Sequence, residues 1–481
     1  MARPAPRRDL TQGHIGRTLL LFALPTLGSN ILQSLNGSIN AVWVGRFLGE
    51  DALAATSNAN IIMFLLFGIV FGFGMAATVL VGQAMGRGDV DSARRAFGSA
   101  IGLVAIGAVL VAGLGWIFAP DILRLLATPA GAMPLALAYM RVIFAAAPAG
   151  MLMTLIMMGL RGVGDAMTPL WFMIVNVVLD AGLNPVFILG LGGAPRMGIA
   201  GAATATVIAN YATMIGLIAI VYLRDLPVRL RGRELGYLVP ARALMQTIVA
   251  KGLPMGAQMF VLSFAGLTMV GLVNRLGVET AAAYGVSQQL WTYIQMPAMA
   301  VGAAVSAMAA QNIGAGAWER VGGITRAGIV YTVLLTGTMI AAVLVFDRPV
   351  MALFLGGDSP ALPIARHIQL ISSWNFMLFG LTMVLFATVR ANGAVWAPLA
   401  ILGLALYPVR IGFALALQPV MGADALWWSF PVGSMVALAL ASVYYRGGGW
   451  KKGAMAPIAP EQAEEEALAG GEPAGRLQPG G

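Results

Sequence analysis

The sequence predicts an all-α integral membrane protein with twelve transmembrane helices in two pseudo-symmetric six-helix bundles. Three observations carry that reading: a composition too apolar for a water-soluble globule, uncharged runs of spanning length, and an internal repeat of about half the chain. Of the 481 residues, 59% are apolar and 10% charged, against roughly 25% charged in a typical soluble domain. Too little polar surface remains to cover a soluble exterior. The absence of Cys rules out disulfides and thiolate metal sites.

A transmembrane helix needs roughly 20 apolar residues. Uncharged runs of that order cover 18–45, 52–86, 96–120, 142–160, 197–223, 252–274, 280–318, 327–346, 367–389 and 425–445. Two more segments, 166–195 and 391–423, are equally apolar but hold one charge each, Asp180 and Arg410. Helices are required because backbone polar groups in lipid must be satisfied within the segment, and the runs lack the alternation of a barrel strand. Connections assigned alternately put 21 Lys and Arg on the side of both termini and seven on the other, with Arg410 inside a span. That bias places both termini in the cytoplasm. It also accounts for the net charge of +9, so nucleic acid is not expected as a partner. Met1 to Arg17 is a basic cytoplasmic segment without a small-residue cleavage site. The tail 447–481, built mainly of Gly, Pro, Ala and Glu, is expected to be disordered.

Self-comparison sets the domain plan. Leu24-Pro25 recurs as Leu253-Pro254, Gln83-Ala84-Met85-Gly86 as Gln311-Asn312-Ile313-Gly314, and Arg161-Gly162-Val163-Gly164 as Arg390-Ala391-Asn392-Gly393, always 228 or 229 residues later. Expected units are an N-lobe at 18–223, a basic cytoplasmic linker at 224–246 and a C-lobe at 247–446. Six helices per lobe give both lobes one orientation, the parallel-repeat plan of some secondary transporters. Two such lobes can rock about a shared interface and expose a central cavity to either side in turn.

Polar residues inside the spans locate the candidate site. Asp180 lies 11 residues past Pro169, about 16 Å along a helix, near the bilayer midplane. An ionisable group there costs at least ~2.5–3.5 kcal/mol and points to function; taking up and releasing a proton or cation can be tied to lobe movement. Asn176, Asp180 and Asn184 share one face of the fifth span, and Gln33, Asn36 and Asn40 share one face of the first, where Pro25 is expected to kink the helix. Carboxylate and amide oxygens suit a proton network or a hard cation such as Na⁺, with interhelical hydrogen bonding as the structural counterpart. Arg410 falls nearly opposite Asp180 in the repeat; it either pairs with Asp180 across the cleft or binds carbonyls of its own lobe. His14 and His367 lie at span ends and are expected to be solvated. The Met151, Met153, Met157 and Met158 cluster reads as packing. No metalloprotease, phosphate-loop or hydrolase motif occurs, so neither cofactor nor enzymatic activity is expected.

At these residues the chain resembles the multidrug and toxic compound extrusion (MATE) transporters of bacteria. The resemblance covers about residues 14–450 and rests on Leu24-Pro25, Val44-Gly45-Arg46-Phe47-Leu48-Gly49, Gly82-Gln83-Ala84-Met85-Gly86-Arg87-Gly88-Asp89, Arg161-Gly162-Val163-Gly164-Asp165, Gly198-Ile199-Ala200-Gly201 with Thr206, and Trp427-Trp428. It implies a secondary active antiporter of the bacterial inner membrane, acting as a monomer. The antiporter would export small amphipathic or cationic organic compounds in exchange for H⁺ or Na⁺. The sequence departs from the family where an acid is usual: Asn40 stands in the first span, the fifth-span order is Asp180 then Asn184, and the C-lobe spans 252–274 and 367–389 carry no acid. Coupling is therefore expected to rest on Asp180 with Asn40, Gln33, Asn36 and Asn184, Thr206 being a weaker carry-over, and H⁺ is favoured because one carboxylate suffices for a proton. The alternatives are a lipid-linked oligosaccharide or lipid flippase of the same superfamily and, less in keeping with the residues, an integral-membrane enzyme.

Overall fold

The computed structural model of the chain describes residues 9–125, 128, 131, 133–453 and 455, all-helical with no strand among them. The N-lobe comprises α1 (Ile15–Leu48), α2 (Glu50–Gly86), α3 (Val90–Leu125), α4 (Met133–Gly162), α5 (Met167–Leu189) and α6 (Ile199–Leu223). The C-lobe comprises α7 (Arg242–Asn274), α8 (Val278–Gly314), α9 (Trp318–Val345), the short α10 (Asp347–Leu355), α11 (Ala361–Ser372), α12 (Asn375–Ala391), α13 (Trp396–Leu404), α14 (Gly412–Met421) and α15 (Asp424–Arg446). A π-helical stretch, Ala405–Ile411, joins α13 to α14 as one span, and α11 meets α12 at a 40° bend. Counting that bent pair as one crossing gives twelve spans among the described residues.

Helices overrun the uncharged runs at both ends, because only the portion in hydrocarbon must be apolar. Thus α1 starts at Ile15 and α7 at Arg242, which shortens the connection expected at 224–246. That connection folds onto α3: Arg94 makes a 2.6 Å ion pair with Glu234 and donates from Nε to the Pro227 carbonyl. Pro25 lies inside α1, which continues past it as one helix, with the Thr26 and Ser29 hydroxyls donating to the Phe22 and Pro25 carbonyls.

The repeated motifs are turns and clasps. Gly164 adopts φ 93°, and Asp165 accepts from the Met167 and Thr168 amides at 3.0 and 2.9 Å, capping α5. Gln83 of the N-lobe donates to the Ala391 carbonyl at 2.7 Å; its repeat partner Gln311 donates to the Gly162 carbonyl at 2.9 Å. Each lobe thereby satisfies an orphan carbonyl at the end of the other lobe's helix. Gly86 and Gly314 let the backbones meet there: a Cβ on either would fall 1.9 Å from the Gln311 carbonyl oxygen or 2.0 Å from that of Gln83. Leu10, fully buried, adds a strap, its N–H donating to Gln311 and its carbonyl accepting from Asn312. This clasp lies at the base-rich end of the molecule, beside Arg87, Arg94 and Arg320.

The tail, expected to be disordered from Gly447, is anchored at its start: within 447–453 and 455, Trp450 and Met455 are buried, whereas Gly447, Gly449, Lys451 and Lys452 are exposed. Trp450 is 2% exposed and stacks on Tyr445, and Asn392 donates to the Trp450 and Lys451 carbonyls. A single large aromatic anchors the segment although its neighbours are Gly and Lys, which composition averages away. The rest of the tail lies outside the described residues.

Candidate ion-coupling site

The site forms where α1, α5 and α6 meet inside the N-lobe. Asp180 is 1% exposed and points into the lobe rather than at lipid. Both carboxylate oxygens are hydrogen-bonded. Asn36 and Asn40 of α1, one turn apart, each donate Nδ2 to Oδ2 at 2.9 Å. On the other side, Thr206 of α6 donates to Oδ1 at 3.1 Å, and Asn184 reaches Oδ1 at 3.3 Å. Asn184 also donates to the Asn40 Oδ1 at 2.7 Å and to the Asp180 carbonyl at 2.8 Å, tying the two helices together. Charge-assisted bonds of this kind are stronger than neutral ones, and together they replace the hydration of a buried carboxylate.

The shell contains spare acceptors. The Oδ1 atoms of Asn36 and Asn184 are buried without a partner. Thr206 Oγ1 also lies 3.3 Å from the Ala202 carbonyl. A proton placed on Asp180 therefore has somewhere to point: Thr206 can turn its own hydrogen to Ala202 and accept from the acid, or an amide can present its oxygen. Asn36 and Asn40 are themselves only half-buried, unlike Asp180. Among the described residues there is no cluster of three or more His, Asp or Glu suited to a metal ion.

Five of the residues expected at the site meet: Asp180, Asn36, Asn40, Asn184 and Thr206. Three do not. Gln33 is exposed; it lies about one turn before Asn36, the first α1 side chain to reach Asp180. Asn176 is buried in a separate network, donating to Asn210 at 3.1 Å and Thr213 at 3.3 Å on α6. Among the described residues Arg410 neither pairs with Asp180 nor binds a carbonyl; its guanidinium lies 3.4 Å over the Phe430 ring. Nearby aromatic surface of α15 outcompetes both expected partners. Sequence reasoning missed Tyr139 of α4, buried within electrostatic reach of Asp180, and Asn210. Neither carries a spacing signal, since each reaches its partner from another helix. His14 accepts the Arg17 amide at the start of α1, His367 pairs with Asp424 at 2.8 Å, and the four methionines are buried.

The family model described as MatE matches residues 25–186 and again 254–416, one match per lobe. The chain belongs to the MATE family. It is similar to the probable multidrug resistance protein YoeA of Bacillus subtilis, at 35% identity over 93% of this chain and 97% of that protein. It is also similar to the probable multidrug resistance protein NorM of Thermotoga maritima, at 23% over 94% and 96%. A solved structure described as the outward-facing conformation of a multidrug resistance MATE family transporter superposes with a TM-score of 0.86. It shares 20% identity and covers 94% of this chain and all of that one, which establishes the shared two-lobe fold. The protein is thus a multi-pass membrane transporter of the multidrug-efflux family and not an enzyme. As a MATE protein it needs no cofactor.

Proposed function

We propose that this MATE transporter is an H⁺-driven antiporter of a bacterial inner membrane. Both termini are cytoplasmic, and the protein acts as a monomer exporting small amphipathic organic compounds by alternating access of its two lobes. The observation that carries the reading is the solitary Asp180 carboxylate, buried in the N-lobe and held by four donors from α1, α5 and α6. A cluster of donors turned onto the carboxylate accommodates a proton by rotation of one hydroxyl or amide. A bound Na⁺ would require several of those donors to turn their oxygens inward, since it prefers oxygen ligands, and this favours H⁺.

Protonation removes the charge that recruits Asn36 and Asn40, loosening α1 from α5. Because α1 also packs on α8 of the other lobe, through Leu19, Phe22 and Ala23 against Val301, Ala304 and Val305, a change in its position reaches the inter-lobe contact. The clasp at the base-rich end supports an open path on the opposite side in this conformation. Periplasmic protons then reach Asp180 past the two half-buried amides.

The test is Asp180→Asn in proteoliposomes, with dye efflux driven by an imposed proton gradient and, separately, by a Na⁺ gradient. Wild type responds to the proton gradient alone, while the variant binds dye and loses at least tenfold of its gradient-driven rate. An unchanged rate in the variant, or driving by Na⁺ at constant pH, overturns the assignment.

A further inference from the structure

The C-lobe holds a buried positive charge that coupling through Asp180 does not use. The repeat runs at 229 residues from Pro25 to Pro254, and the two family matches end 230 residues apart. The π-helical stretch Ala405–Ile411 accounts for the extra residue, since a π turn inserts one position into a helix, frequently at a functional site. Arg410 thereby takes the place in α13–α14 that Asp180 takes in α5. Its surroundings are the reverse of those around Asp180. Asn36 and Asn40 correspond to Ala265 and Met269, both buried, and Asn184 to Ala414. None of these replacements offers the guanidinium an oxygen acceptor.

The charge is unneutralised. Among the described residues no carboxylate forms an ion pair with Arg410, and its Nε is buried without a hydrogen-bond partner. The C-lobe acids Glu279, Glu319, Asp347, Asp358 and Asp424 lie at helix ends or in connections, where Asp347 is paired with Arg366 and Asp424 with His367. What meets Arg410 is aromatic: Phe430 beneath it at 3.4 Å, itself 4.9 Å from Trp291, with Tyr284 stacked on Trp427 alongside. A cation over a ring face is stabilised through the ring quadrupole, but the ring accepts none of its in-plane N–H bonds, and Nε is left without an acceptor. Unpaired charge at membrane depth marks a ligand pathway or site, and a guanidinium fork is built for carboxylate or phosphate oxygens.

We propose that Arg410, set over Phe430 by the π-helical turn, is the recognition site for the anionic group of an aromatic organic substrate, a carboxylate or a phosphate. The acid accepts from the guanidinium N–H groups, and the substrate ring lies along the aromatic wall of α8 and α15. The two lobes then divide the work: a carboxylate in the N-lobe for the driving ion, and a cation in the C-lobe for an acidic cargo. This rests on the reading of the chain as an exporter of small amphipathic compounds, and extends it to anions.

Binding to the purified full-length protein in detergent separates the two sites. Fluorescein and rhodamine 6G share a xanthene ring system but carry opposite charge, and fluorescence anisotropy reads their affinities directly. Arg410→Gln is expected to weaken fluorescein at least tenfold and leave rhodamine 6G unchanged or tighter. Failure of the proton-coupling reading appears only in gradient-driven transport, so the two outcomes stay distinct. Competition on the wild-type protein needs no variant: 2-naphthoate displaces fluorescein and 2-naphthylmethylammonium does not. Equal displacement by both, an unaltered fluorescein affinity in Arg410→Gln, or a parallel loss of both dyes overturns the proposal.

Discussion

Adding one methyl group at Gly86 is expected to unseat the contact that holds the lobes together at their base-rich end. A Cβ there would lie 1.9 Å from the Gln311 carbonyl oxygen, whereas real Cβ contacts stay beyond 3.0 Å, so α2 and α8 must part by more than 1 Å. The obstacle is backbone and cannot rotate away. Overpacking of this kind costs about 1–3 kcal/mol, and the separation also stretches the reciprocal Gln83 and Gln311 hydrogen bonds. The penalty applies only while the ends are pressed together, so a conformation open at that end gains about 5–150-fold in relative population. Gly314→Ala, its repeat counterpart, places its Cβ 2.0 Å from the Gln83 carbonyl and should behave alike. The chain has no cysteine, so spin labels at Arg224→Cys, the residue that caps α6 of the N-lobe, and Glu319→Cys in α9 of the C-lobe, both exposed, report the inter-lobe distance by pulsed electron resonance in nanodiscs. Longer distances are expected in both alanine variants. Folded variants with the wild-type distribution would show that the glycine contacts do not determine the closed end.

Asn40→Ala removes a donor to Asp180 and the acceptor used by Asn184; a loss of about 1–3 kcal/mol should lower gradient-driven dye efflux severalfold, and wild-type efflux would place Asn40 outside the coupling shell. Trp450→Ala empties a buried aromatic site beneath α15, and about 3–5 kcal/mol less stability should appear as a lower melting temperature in detergent, while an unchanged melt would mean the segment is not anchored by that ring. Asp165→Ala strips the cap from α5, costing about 0.5–2 kcal/mol, read as faster hydrogen exchange in residues 167–170 with slower exchange elsewhere unaffected.

The sequence by itself determined the membrane setting, the twelve crossings, the duplicated lobes and the one acid worth attention. These are carried by hydropathy, charge spacing and self-similarity, all written along one dimension. It also identified, by side-chain spacing, Asn36, Asn40 and Asn184 as company for Asp180, with Thr206 added by the family resemblance. What it did not contain was rotation and depth: why Asn36 touches a carboxylate 144 residues away while Gln33, on the same stripe, meets none. Only packing of α1 on α5 decides that, since a shift of one turn carries a side chain past its partner. Tertiary structure likewise turned the recurring Gln and Gly motifs into a reciprocal clasp and ordered the first residues of the tail around Trp450. It also set Arg410 on a ring of α15 instead of against Asp180. In each case the deciding contact joins segments far apart in the chain, and the contact energy comes from a partner whose position no local pattern records.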